Sequence, residues 1–130
     1  MNAGGVVVVL GSVGGGSTNR IYDMGMFTGS FLTNVNTGTL TITDTTHAYM
    51  DNIPLSIPIP NATFYHSFTN PDKVTLATYN NNDVISYRNT GAGRGVFLGF
   101  DYFAFNAFTQ RIIANIIQNG NSNSLSPWIQ

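Results

Sequence analysis

The chain has 130 residues, enough for one domain with a single core and too few for two. Its 42% apolar content, with nine Phe and six Tyr, excludes a disordered tail, and no apolar run approaches the roughly 20 residues of a membrane-crossing helix. A net charge of −1 with scattered basic residues leaves no stripe for a phosphate backbone, and the lack of Cys removes disulfides, thiolate metal sites and cysteine nucleophiles.

In chain order, VVVVL at residues 6–10 is an unbroken β-branched run closed by Gly11, which predicts a strand inside a parallel sheet and covered on both faces. A glycine-rich turn follows, then Ile21, Met24 and Phe27 or Thr28 at helical spacing behind a Ser17 or Thr18 cap; Gly25 and Gly29 limit that helix to a short one. TLTIT at 39–43 alternates as a strand, and three prolines from Pro54 bar a central strand until after Pro60. VTLATYN at 74–80 is a strand that ends in an Asn-rich turn, and VISYR and GVFLGF form a hairpin around the glycines Gly91 and Gly93. Phe105, Phe108, Ile112, Ile113, Ile116 and Ile117 fall on one face of an amphipathic helix, with Gly120 as its stop. Residues 1–120 thus form one domain of about five strands, and 121–130 form a tail that only Trp128 and Ile129 can dock.

GVFLGFD and the helix TQRIIANII, with Gly91, Gly93, Arg94, Val96, Leu98, Gly99, Phe100, Asp101, Arg111, Asn115 and Ile116 at the matching positions, resemble the last strand and helix of class I glutamine amidotransferase-like domains. ITDTTHAYMDNIP is similar to a second segment of that superfamily, which includes ThuA-like and DJ-1-like branches, with Ala48 for the usual proline and Asn52 for the usual glycine. AGGVVVVLGS is similar to a strand and turn of the same proteins. The resemblance implies an α/β, three-layer flavodoxin-like fold with a mostly parallel sheet and a C-terminal β-hairpin and helix. Two departures qualify it. The active members use a Cys-His-Glu triad, and this chain has neither Cys nor Glu. Such domains also begin with further βα units, so the chain is similar to a partial domain, the C-terminal portion of the fold. A two-face strand without its neighbour would leave open backbone groups beside an apolar face, which predicts a homo-oligomer or a partner segment that completes the sheet.

Candidate chemistry is sparse. Ser12, in L-G-S-V-G, lacks the first glycine of a nucleophile elbow, Leu10 standing there; with His47 it is the only outline of a serine hydrolase. Residues 11–18 have the spacing of a phosphate-binding loop with Ser17 in place of its lysine, leaving Gly14, Gly15, Gly16 and Ser17 as a turn for a small anion. His47 follows a strand, and the resemblance implies that it anchors a loop; His66 in FYHSF is expected half-buried against Tyr65 and Phe68. Arg94, Asp101 and Arg111 are expected to be structural, Asp101 accepting N–H bonds at the helix start. Tyr102, Phe103 and Phe105, near Tyr79 and Tyr87, would suit stacking on a carbohydrate ring. The two His and six Asp follow no metal spacing, and no cofactor is implied. An uncharged surface rich in Asn, Thr, Gly and Ser is commoner outside cells, although residues 2–15 do not form a signal peptide. The sequence therefore points to a non-catalytic binding or assembly module, with a serine hydrolase and a gene fragment that has lost a functional N-terminal half as the alternatives.

Overall fold

A computed structural model of the chain describes residues 5–11, 21–60, 62–101 and 105–121. Its strands are β1 (Val6–Gly11), β2 (Gly29–Val35), β3 (Thr39–Ile42), β4 (Ser56–Pro58), β5 (Thr63–Phe68), β6 (Val74–Tyr79), β7 (Asn82–Thr90) and β8 (Gly93–Asp101), with one long helix, α1 (Ala107–Asn119). A single 3-10 turn, Ala48–Met50, links β3 to β4. The strands form one sheet ordered β1-β8-β7-β6-β3-β4, and β5 branches from β7 to carry β2.

This sheet corrects the expectation of a mostly parallel, three-layer α/β fold. Only β1 and β8 run parallel, and the other paired strands are antiparallel. The physical reason is the connections: short turns join β6 to β7 and β7 to β8, and a tight turn can only return a strand antiparallel. Asn80 and Asn81 both adopt positive φ, 50° and 65°, as the favoured two-residue hairpin turn requires. Gly91 at φ 60° opens the next turn.

The strand covered on both faces is β8, all nine of whose residues are buried. On one face Val96, Leu98 and Phe100 join the main cluster with Leu40, Tyr49, Ile85, Ile112 and Ile116. On the other, Phe97 packs with Ile21, Met26, Phe27 and Phe68. β1 was expected in this interior position and instead ends the sheet, pairing only with β8 among the described residues. Its parallel register slips between Leu10 and Gly11, so that Gly11 faces Asp101, and the bulge falls on β8 at Gly99 and Phe100. Gly99 must be glycine there, because a Cβ would overlap the Phe64 carbonyl oxygen of β5.

The helix expected from Ile21 onward runs only through residues 21–23 of the described chain. Gly25, at φ 75°, turns the backbone, and Gly29, at φ 137°, starts β2. α1 matches its sequence signals more closely. Asn106 caps it, its side chain accepting from the Thr109 N–H at 3.0 Å while the Thr109 hydroxyl accepts from the Asn106 N–H at 2.9 Å. Gly120 ends it at φ 58°, its N–H donating to the Ile116 carbonyl at 2.9 Å. The helix is rotated relative to the expectation of four buried isoleucines: Ile112 and Ile116 are buried, Ile113 is partly so, and Ile117 is 79% exposed.

Candidate functional site

The outer side of β1 is the most unusual surface among the described residues. Gly5 receives the Arg94 N–H on its carbonyl at 2.9 Å, which turns the backbone groups of Gly5, Val7 and Val9 toward β8. Alternation along the strand then leaves the N–H and C=O groups of Val6, Val8 and Leu10 on the open side. The side chains of Val8 and Leu10 share the α1 face of the sheet, and with Leu98, Ile113, Ile116 and Ile117 they line an apolar groove of about 240 Å³. Val8 is 41% exposed, and residues 5–11 carry no ionisable side chain. Fully covering one Val or Ile contributes roughly 1.5–3 kcal/mol, so a segment seated here gains apolar burial as well as backbone hydrogen bonds. In chemical terms the site offers strand pairing and an apolar cleft. Its described lining residues include no acid, base or nucleophile.

A second set of polar residues seals the join between α1 and the sheet. His47 places Nε2 at 3.0 Å from the Tyr87 hydroxyl, and its Nδ1 accepts from the Tyr49 N–H at 3.1 Å. Arg94, 2% exposed, lays its guanidinium 3.9 Å over the Tyr87 ring and donates to the Tyr49 hydroxyl at 3.2 Å and to Asn89 Oδ1 at 2.7 Å. The Tyr49 hydroxyl donates to the Gly120 carbonyl, and Asn115 donates to the carbonyls of Tyr49 and Asp51, both at 3.0 Å. Arg111 pairs with Asp51 at 3.0 Å on the surface. Both ring nitrogens of His47 are thereby committed to contacts that hold the fold.

A third set lies on the opposite face. His66, fully buried, is packed among Phe31, Phe68, Phe97 and Tyr22 rather than against Tyr65, and its Nδ1 lies 2.6 Å from the Tyr22 hydroxyl. Among the described residues its Nε2 has no hydrogen-bond partner. Burial holds its pKa down at about 4, against a smaller upward pull from Asp83, and the same burial raises that of Tyr22. Burial pushes the Asp83 carboxyl up, but hydrogen bonds from Lys73 and Thr75 outweigh it and hold Asp83 below its ordinary value. The Lys73–Asp83 pair is 2.8 Å apart.

The remaining candidates are dispersed. Ser12, the turn Gly14, Gly15, Gly16 and Ser17, and the aromatic residues Tyr102 and Phe103 lie outside the described residues. Phe105 is half-buried and meets Phe100 edge-on, 6.4 Å between ring centres, while Tyr79 pairs with Tyr65 and not with Tyr87. Asp101 is buried at the end of β8, and among the described residues neither carboxylate oxygen has a hydrogen-bond partner; Asn106 caps the helix start. Among the described residues no three His, Asp or similar ligands converge on one point. The groove itself was missed in the sequence because Ile113 and Ile117 sit at core spacing; the one available signal was the pairing of an uncharged strand with a helix that carries more isoleucine than one face can bury.

No family model matches the chain, and neither does any curated protein. Solved structures do. A cytoplasmic protein of Salmonella typhimurium superposes with a TM-score of 0.65 at 12% identity, covering 90% of this chain and 55% of its own. A second cytoplasmic protein, from Salmonella typhimurium LT2, gives 0.60 at 12% identity over 86% and 50%. A ThuA-like protein of Bacteroides uniformis gives 0.63 at 13% identity over 100% and 64%. This chain therefore spans between half and two thirds of the length of these structures. At such identities the likeness is one of fold alone, and at that level the chain is similar to a ThuA-like protein.

Proposed function

We propose that the chain is a non-catalytic assembly module of amidotransferase-like build, and that it works by taking up a strand along the β1 edge. One observation carries this reading: a β-branched, uncharged strand ends the sheet with backbone groups on its open side and an apolar groove alongside. The hydrolase reading has less support, since both His47 ring nitrogens are held by Tyr87 and Tyr49.

The test is hydrogen exchange of the Val6, Val8 and Leu10 amides, with and without a synthetic strand of residues 5–11 flanked by lysines for solubility. Protection that grows with protein or peptide concentration supports the reading. Fast exchange at all three amides under every condition rejects it, and turnover of an activated ester that vanishes in Ser12→Ala would restore the hydrolase.

A further inference from the structure

We infer that the β1 edge is filled by a second copy of this chain, docked about a two-fold axis through Val8 so that two β1 strands pair antiparallel. The inference rests on the assembly reading and adds the identity of the partner and the register.

The register follows from which backbone groups are outward. Val6, Val8 and Leu10 alternate on the open side. A two-fold at Val8 sets Val8 opposite Val8 and Val6 opposite Leu10, so every outward N–H meets an outward C=O of the other copy. No other centre within the strand pairs all three residues. The axis stands normal to the sheet, and both α1 helices therefore lie on one face, one on each side of the new strand pair. That brings the exposed Ile117 of each copy to the rim of a continuous apolar cleft, next to the Val8 and Leu10 side chains. The surface is self-complementary as a two-fold contact requires: a protruding isoleucine and an apolar groove share one edge, and the strand has no charge to repel its own image. The far end of the sheet cannot repeat the contact, because β4 is three residues long, contains Pro58 and is flanked by Pro54 and Pro60. Pairing at β1 thus joins two copies and does not propagate through β4.

The chain has no Cys, so single introduced cysteines report the contact cleanly. Directly opposed, hydrogen-bonded residues have Cα atoms about 5.5 Å apart, inside the roughly 4.4–6.8 Å that a disulfide spans. Val8→Cys should be oxidised to a linked dimer about tenfold or more faster than Ser56→Cys on β4, in keeping with the opposed geometry. Light scattering of the unmodified chain should give twice the monomer mass, and Val8→Lys should give the monomer with an unchanged circular dichroism spectrum. A monomer at every concentration, with Val8→Cys linking no faster than Ser56→Cys, overturns the inference. If that monomer still protects its Val6, Val8 and Leu10 amides on adding the synthetic strand, the assembly reading survives and only the second copy is lost; without protection both fall.

Discussion

Two edges of the sheet, β4 and β1, meet the same physical problem in opposite ways. β4 is short, is punctuated by prolines that cannot donate, and buries its central Ile57 while its exposed positions are given to Ser56 and Pro58. β1 is twice as long, six residues against three, and holds neither proline nor charge. Prolines and shortness block further pairing at β4, and nothing in the β1 sequence does the same. The proposed assembly through β1 rests on this contrast.

Four measurements break or sharpen that contrast. The largest effect should come from leaving the edge for its neighbour: Leu98→Ala, in fully buried β8, is expected to cost about 2–5 kcal/mol in urea unfolding, whereas Val8→Ala in the same groove should cost the monomer less than about 1 kcal/mol. If the two cost the same, β1 is not the open edge described. Next in size is acid. The His66 pKa falls from 6.5 to about 4 on folding, so its contribution is complete above about 6.5 and is lost as pH drops toward 4, where the unfolded chain binds the extra proton. His66→Gln should flatten that slope in pH-dependent thermal melts. Because residues 5–11 do not titrate, association through β1 should change over this range only insofar as the fold does. Third, Pro54→Val with Pro58→Val should make β4 resemble β1 and convert a closed assembly into longer species in sedimentation; an unchanged distribution would mean that the prolines are not what guards that end. The smallest effect is expected for Arg111→Ala, which removes a surface ion pair with Asp51 worth about 0.2–1 kcal/mol and should leave assembly untouched.

Legibility in the sequence followed how local each feature is. The β6, β7 and β8 strands and their turns could be read from residues alone, since Asn80, Asn81 and Gly91 carry the turn geometry within themselves. α1 was equally plain from its isoleucines and from Gly120. β2 was lost because its residues are exposed almost throughout, leaving no alternation, while Ile21, Met24 and Phe27 mimic a helix that Gly25 ends. The run VVVVL gave the strand but not its place: an unbroken apolar strand is equally the pattern of an interior strand and of an edge awaiting cover, and only the pairing to β8 distinguishes them. The same holds for parallel versus antiparallel, which resides in the connections. Of the site, Val8 and Leu10 were visible as strand residues, but the groove needed the rotation of α1 that turns Ile113 and Ile117 aside, and no spacing rule encodes a rotation of that size.

β8 lies between the two apolar clusters, with Phe97 facing one and Val96, Leu98 and Phe100 facing the other. Loss of β8 would open both clusters at once. Heat should therefore melt both in a single calorimetric step, and damage on the tyrosine side should be felt at once among the phenylalanines behind it.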